Sequence, residues 1–160
     1  MPLNPTVANY VSNRIRVRVC GLLEMEGGLV LVNHTGLYGH DFWLPPGGGL
    51  EFGETTEECL KREFWEECGL KIEPGHFLFA CSVINHPIHA IELFFSVKYI
   101  DGTIITGHDP ERGSEQIISQ VRIIPFKELD ETDRKILHPM FREITKTNEI
   151  LSLKGFFELT

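Results

Sequence analysis

Hydrophobic and polar positions along this chain predict several strands arranged around one clear helix. Residues 15–25 alternate between polar and apolar side chains and then become continuously apolar, which is typical of a strand. Residues 26–28 predict a hairpin turn into a second apolar strand. Two longer apolar stretches, 76–85 and 90–100, predict further strands after the helical segment. The predicted helix therefore lies between an N-terminal hairpin and a second group of strands.

The helix is predicted over Thr56–Cys68, and its two ends carry recognisable signals. Thr55 and Glu58 form the pattern of a capping box, in which each side chain accepts a hydrogen bond from the other residue's backbone N–H. Gly69 is suited to the left-handed conformation that commonly follows the last turn of a helix. The apolar positions recur every four residues along one stripe. This stripe consists of Leu60, Phe64 and Cys68.

The remaining segments complete a layered α/β arrangement. Residues 35–43 are rich in glycine and polar groups and are predicted to form an exposed loop. Residues 101–102 are predicted to form a further hairpin turn that leads into residues 103–106. Residues 117–125 predict another strand, and the tail from residue 126 is predicted to be helical, with a start or kink at Pro139. We therefore expect a single domain over residues 1–160, with a mixed sheet covered by helices.

Composition and charge restrict the kinds of partner that this domain can have. The formal net charge is −8, which argues against general nucleic-acid binding because that depends on Lys and Arg. No apolar run approaches the roughly 20 residues needed to span a membrane, and the N-terminal residues do not resemble a signal peptide. The four cysteines form no C-x-x-C pair, so a reducing cytoplasm is the expected location.

Three glutamates of the predicted helix gather on one face beside the apolar stripe. Glu66 and Glu67 follow Glu63 by three and four residues, so the carboxylates gather on one side of the helix and repel one another unless a cation lies between them. A hard cation such as Mg²⁺ binds carboxylate oxygens and shares its other positions with substrate phosphates. Any one of these glutamates could also simply solvate a surface helix, which is the interpretation we keep for Glu57 and Glu58.

The sequence around this helix resembles a known family. Gly48, Glu54 and the run REFWEECGL at residues 62–70 match every specified position of the Nudix box, G-x5-E-x7-R-E-U-x-E-E-x-G-U, where U is apolar. The motif covers 23 of 160 residues and fixes many identities at fixed spacing. The resemblance implies an α/β/α sandwich whose loop–helix–loop motif binds a divalent metal. It also implies that the protein is an enzyme that hydrolyses nucleoside diphosphates linked to another group.

The resemblance also implies roles for individual residues. Glu63, Glu66 and Glu67 are the expected ligands of Mg²⁺, with Mn²⁺ as the alternative, and Glu66 and Glu67 are also expected to take part in catalysis. Arg62 is expected to hold a glutamate of the site through a charge-assisted hydrogen bond, and Glu54 is expected to be either a supporting acid near the metal or the partner of Arg62. The alternative for Arg62 is an ordinary exposed helix arginine.

The general base and the substrate contacts are less constrained by the motif. Glu115 is the candidate base outside the box, and its alternative is a solvated loop acid. Glu92 either points into the site or faces solvent from a strand. Gly48 and Gly49 are expected to approach the substrate with their backbone. Trp43 is a candidate for stacking on a base, with packing in the core as the alternative.

Two classes of function follow from these observations. The favoured hypothesis is a Mg²⁺-dependent hydrolase of a small nucleotide, either a nucleoside triphosphate or a nucleotide sugar such as ADP-ribose. The alternative is a module with the same fold that senses a nucleotide without catalysis. The three intact glutamates favour the enzyme, because a sensor need not retain all of them. A homodimer is an open possibility that the sequence does not decide.

Overall fold

The computed structural model describes residues 13–107 and 118–160, together with positions 5 and 9, as two sheets flanked by helices. The strands are β1 (Arg16–Leu22), β2 (Glu24–Met25), β3 (Gly28–Asn33), β4 (Trp43–Leu44), β5 (Gly47–Gly49), β6 (Leu70–Asn85), β7 (Ile88–Gly102), β8 (Gln120–Pro125) and β9 (Gly155–Leu159). The helices are α1 (Thr35–Tyr38), α2 (Thr56–Cys68) and α3 (Phe126–Glu131), with 3₁₀ segments at Arg134–Ile136, Pro139–Glu143 and Thr147–Ser152.

One sheet is mixed and the other is antiparallel. In the first sheet the strand order is β5-β1-β7-β6-β9, with β1 parallel to β7 and β6 parallel to β9. In the second sheet β8 pairs along β3, while β2 and β4 pair with the two ends of β3. The mixed sheet confirms the α/β architecture expected from the sequence.

The C-terminal half of β1 and most of β3 are apolar because both faces of the chain are buried there. Cys20 and Leu22 point into one hydrophobic cluster, which the 3₁₀ segments and α3 cover. Val19 and Leu23 point into a second cluster, which α2 covers. Since successive side chains of a strand point to opposite faces, a strand between two helical layers needs apolar residues at consecutive positions. The domain is therefore an α/β/α sandwich.

Helix α2 begins and ends where its local signals place it. The Thr55 hydroxyl oxygen accepts a hydrogen bond from the Glu58 N–H at 3.2 Å, and the Glu58 carboxylate accepts one from the Thr55 N–H at 2.8 Å. Gly69 adopts a φ of 70°, and its N–H donates to carbonyl groups of the last turn. The predicted apolar stripe is fully buried in the second cluster.

Three sequence-based predictions of secondary structure were wrong. The proposed hairpin at residues 101–102 does not form, because β7 ends at Gly102, which pairs with Leu70 of β6. The tail is not one helix but α3, three 3₁₀ segments and β9, which pairs with β6. Residues 35–43 are not entirely a loop, since they include the short helix α1 and the start of β4. Among the described residues, no helix is long and apolar enough to cross a membrane.

Candidate active site

A cavity of about 1050 Å³ opens between the polar face of α2, strand β5 and the ends of β1 and β7. The side chains of Glu63, Glu66 and Glu67 line it, as do the glycines of β5. The carboxylates predicted to act together therefore face one cavity. Glu57 and Glu58, which were assigned to solvent, are exposed in the first turn of the same helix.

The glycines of β5 allow the helix carboxylates to lie directly against a strand. A Cβ atom at Gly48 would lie only 2.2 Å from an oxygen of Glu63, so any larger residue would displace that carboxylate. The N–H of Gly47 donates a hydrogen bond to Oε2 of Glu67 at 3.0 Å. The glycine strand thus fixes two of the three glutamates, one by close packing and one by a hydrogen bond.

Arg62 is the centre of the ionic network in this site. Its Nε and Nη2 donate to the two oxygens of Glu54 at 2.7 and 3.0 Å, and its Nη1 donates to Glu63 at 2.6 Å. Arg62 Nη1 also lies 3.4 Å from an oxygen of Glu66, and Nη2 donates to the Gly49 carbonyl at 3.2 Å. Arg62 is therefore a bidentate partner of Glu54 and a bridge to the acidic face.

The charges of this network shift the ionisation of its carboxyl groups in opposite directions. The hydrogen bonds from Arg62 lower the pKa of Glu54 below its ordinary value. Burial raises the pKa of Glu63, and the neighbouring Arg62 offsets only part of that effect. A second cation beside Glu63 would favour its charged form, as nearby positive charge does for any carboxylate.

The donor set fits a hard divalent cation. Three carboxylates project from one helix face into the cavity, and hard cations prefer oxygen ligands of this kind. Within residues 13–107 and 118–160, no three His, Cys, Asp or Glu side chains already converge on one point. The carboxylates instead contact Arg62 and Gly47, as the hydrogen bonds above describe. Binding of a metal would therefore require these carboxylates to move closer together within the cavity.

The other predicted residues have different positions. The side chain of Trp43 is 6% exposed and packs in the first hydrophobic cluster, which favours the packing alternative over stacking on a substrate. Gly49 lines the cavity beside Arg16, whose Nη2 would be 3.0 Å from a Cβ at Gly49. Glu115 lies outside the described residues, so its role as a base stays a prediction.

The prediction that Glu92 could face solvent was wrong. Its side chain is 2% exposed and lies at the inner wall of the cavity. Its partners are two residues that the sequence analysis did not single out. Oε1 accepts from Nη1 of Arg18 at 2.6 Å, and Oε2 lies 2.5 Å from Nε2 of His138. In the sequence, Arg18 belongs to the alternating part of β1, and only Glu92, a charged residue within an otherwise apolar run of β7, indicated a special role. His34 was also missed, and its Nε2 lies 3.8 Å from Oε1 of Glu67.

The ionisation of Glu92 predicts a pH dependence of stability. Burial raises the pKa of Glu92, but the contacts with His138 and Arg18 outweigh burial and lower it from 4.5 to about 2. The stabilising effect of the charged form is complete above pH 4.5 and is lost as the pH falls toward 2. We expect it to contribute about 3 kcal/mol to the free energy of unfolding.

This expectation can be measured by urea denaturation of the wild-type protein and a Glu92→Gln variant between about pH 6 and pH 2.5. The free energy of unfolding of the wild type should fall more steeply below about pH 4.5 than that of Glu92→Gln, because only in the wild type does the side chain at position 92 take up a proton on unfolding. Parallel pH profiles for the two proteins would show that Glu92 does not have the lowered pKa.

Comparison with known proteins identifies the family of this chain. A model of the NUDIX domain matches residues 12–144, which is most of the chain. This protein therefore belongs to the NUDIX family. A segment of 62 residues is 39% identical to phosphatase NudJ of Escherichia coli strain K12, and covers 39% of this chain and 40% of NudJ. The match thus spans well under half the length of the curated relatives.

Solved structures show the same fold at low sequence identity. A NUDIX hydrolase from Nitrosomonas europaea superposes with a TM-score of 0.66 and 19% identity, over 81% of this chain and 85% of that one. A MutT protein from Methanosarcina mazei Go1 has a TM-score of 0.64 and 20% identity, over 81% and 88% of the two chains. These similarities confirm the Nudix-type fold that the sequence motif implied.

Proposed function

We propose that this protein hydrolyses a phosphoanhydride bond in a nucleoside diphosphate linked to another group, and that it requires Mg²⁺ or Mn²⁺. The substrate would be a nucleoside triphosphate or a nucleotide sugar such as ADP-ribose. The observation that carries this proposal is the placement of Glu63, Glu66 and Glu67 on one wall of a cavity beside the glycine strand. Membership of the NUDIX family supports it independently.

The cation would be held by Glu63, Glu66 and Glu67. The close packing of Glu63 against Gly48 leaves its carboxylate partly desolvated, and the raised pKa of Glu63 is consistent with a position that needs more positive charge. When bound, a divalent cation supplies the charge that neutralises phosphoryl oxygens of a substrate and makes the phosphorus atom more open to attack. The acidic face of α2 would otherwise repel an anionic substrate.

The protein's own groups would position the reaction and move its proton. Arg62 would keep Glu54 and Glu63 in fixed orientations through short charge-assisted hydrogen bonds. The Gly47 N–H would orient Glu67, whose Oε1 lies 3.8 Å from Nε2 of His34, and this carboxylate would accept a proton from an attacking water. Glu115 is the second candidate for that base.

The size and charge of the cavity suit a nucleotide. Ligand pockets in proteins commonly measure about 300–1,000 Å³, and a volume of about 1050 Å³ lies just above that range. The wall opposite the acidic helix face includes Arg18, Lys135 and Arg142. An anionic substrate could therefore meet positive side chains there while a cation offsets the glutamates.

The cellular setting of this activity stays a prediction. The four cysteines are buried free thiols, which suits the proposed reducing cytoplasm. The formal net charge of −8 supports a small nucleotide as the partner in preference to nucleic acid. Whether the protein acts as a homodimer can be tested by light scattering on the sample used for the activity assay.

The proposal is tested by incubating the protein with a panel of nucleoside triphosphates, nucleotide sugars and dinucleotides, with and without Mg²⁺. Phosphate should be measured after addition of a phosphatase, so that nucleoside monophosphate products are also detected. We expect turnover of at least one compound that requires the metal. Nucleotide binding without turnover across the panel would contradict the hydrolase and support the sensing module.

A further inference from the structure

A second charged cluster lines the cavity on the side away from α2, and it contains Arg18 of the positive wall described above. It consists of Arg18 on β1, Glu92 on β7 and His138 at the start of a 3₁₀ segment. Arg18 and Glu92 lie at paired positions of the two parallel strands, so their side chains project from the same face of the sheet. That face is the one covered by the 3₁₀ segments, whereas α2 covers the other.

Both carboxylate oxygens of Glu92 are engaged within this cluster. Oε1 accepts from Arg18 Nη1 at 2.6 Å, and Oε2 lies 2.5 Å from Nε2 of His138 and 3.6 Å from the sulfur of Cys81. The N–H of Met140 donates to Nδ1 of His138 at 3.2 Å. This last contact makes Nδ1 an acceptor, so Nε2 is the ring nitrogen that presents a proton to Glu92.

The cluster holds the Arg18 guanidinium at the boundary of the cavity. The Arg18 side chain is 15% exposed, whereas the side chains of Glu92 and His138 are 3% and 4% exposed, and Arg18 lines the cavity. Its Nη2 donates to the Gly47 carbonyl at 3.3 Å, and the N–H of Gly47 donates to Glu67. Arg18 and the acidic helix face therefore meet at the same glycine of β5, from opposite sides of the sheet.

The need to fill this buried position does not account for the choice of charged side chains. Removing two charges from water costs several kcal/mol per ion, and apolar side chains of similar volume are often as stable in such a position. A guanidinium with five donors in a rigid plane, partly open to a cavity, is well suited to phosphoryl oxygens. The charged cluster thus has the features of a binding element more than those of a packing element.

We propose that Arg18 binds a phosphoryl oxygen of the substrate, and that Glu92 and His138 are positioning residues that keep its guanidinium directed at the cavity. This inference rests on the proposed function, because it assigns the phosphate contact of the same site. Substrate phosphates would then be bound from two sides, by Arg18 on one and by the cation held on α2 on the other. Arg18 would offset the part of the negative charge of the substrate phosphates that a cation on the acidic face does not neutralise.

The inference is tested with the full chain by calorimetric titration of α,β-methylene-ADP in the presence of Mg²⁺. Arg18→Lys keeps the positive charge beside Glu92 but loses the planar fork, and we expect binding to weaken by about tenfold or more. Glu92→Gln keeps the Arg18 side chain but removes the carboxylate that positions it, and we expect a smaller loss of binding affinity than for Arg18→Lys. The matched control is Arg122→Lys, because Arg122 pairs with Glu128 on the protein surface. Its affinity should equal that of the wild type.

Kinetics and folding separate a binding role from a structural one. For Arg18→Lys, KM of the substrate identified by the panel should rise by a factor similar to the loss of affinity, while circular dichroism shows a folded protein. Unchanged affinity and KM in both Arg18→Lys and Glu92→Gln, with a wild type that binds the analogue, would overturn the inference and leave the hydrolase proposal intact. A wild type that neither binds the analogue nor hydrolyses any nucleotide would instead overturn the proposed function, and the inference with it.

Discussion

Replacing Glu67 with glutamine is expected to lower metal-dependent hydrolysis by about a thousandfold while leaving the protein folded. Glu67 is 6% exposed, and its Oε2 accepts a hydrogen bond from the Gly47 N–H. A glutamine can accept the same hydrogen bond and occupies the same volume, so the free energy of unfolding should change by no more than about 1 kcal/mol. The amide cannot accept a proton from water and is a weaker ligand for a hard cation. The measurement is the initial rate with the substrate that the panel identifies, at saturating Mg²⁺.

The matched control for this substitution is Glu57→Gln on the same helix. Glu57 is exposed in the first turn and does not belong to the acidic face that lines the cavity. Its activity should remain within about twofold of the wild type, as is usual for a surface substitution away from a site. If Glu67→Gln kept more than about a tenth of the activity, Glu67 could not be the essential base, and Glu115 would become the principal candidate.

The second large effect is expected from Arg62→Ala, which should reduce both activity and stability. Arg62 neutralises Glu54 and Glu63 at distances of 2.6–3.0 Å, and its removal takes the paired guanidinium away from both carboxylates. Because the Arg62 side chain is 25% exposed, we expect a loss of about 2–3 kcal/mol, less than for a fully buried pair. Activity should fall by more than about a hundredfold because Glu63 loses its fixed orientation. Urea denaturation and the hydrolysis assay measure the two effects.

One further variant separates the geometry of Arg62 from its charge, and a second variant at the surface serves as the control. Arg62→Lys keeps one positive charge but cannot form the bidentate contact with Glu54, so it should have intermediate activity and stability. Arg122→Ala removes an exposed arginine that is paired with Glu128, and it should change the free energy of unfolding by about 1 kcal/mol or less. An Arg62→Ala protein as stable as Arg122→Ala would show that the network around Arg62 contributes nothing beyond a surface ion pair.

Helix α2 was predictable because its determinants are local. The capping box of Thr55 and Glu58, the left-handed Gly69 and the apolar stripe all lie within one segment, and their hydrogen bonds form between residues close in sequence. The acidic face follows from the same periodicity, since residues three and four apart share one side of a helix. The sequence therefore determined the helix, its buried side and the carboxylates that line the cavity.

The tail was mispredicted because its structure depends on distant partners. Its pattern of apolar residues is compatible with a helix, but the chain instead forms short 3₁₀ segments that bury Met140, Phe141 and Ile150 against the sheet. Strand β9 forms only because β6 offers it a parallel edge. Weak helical preferences of this kind are commonly overridden by tertiary packing.

The sequence by itself determined the family, the loop–helix motif and the acidic face, because identities at short, fixed spacing encode them. Only the tertiary structure decided how the opposite wall of the cavity is built. Arg18 and Glu92 are 74 positions apart, and Glu92 and His138 are 46 apart. They meet because β1 pairs in parallel with β7 and a 3₁₀ segment of the tail closes over that pair. No local pattern specifies a contact between residues so far apart, so these groups become a single cluster only when the sheet forms.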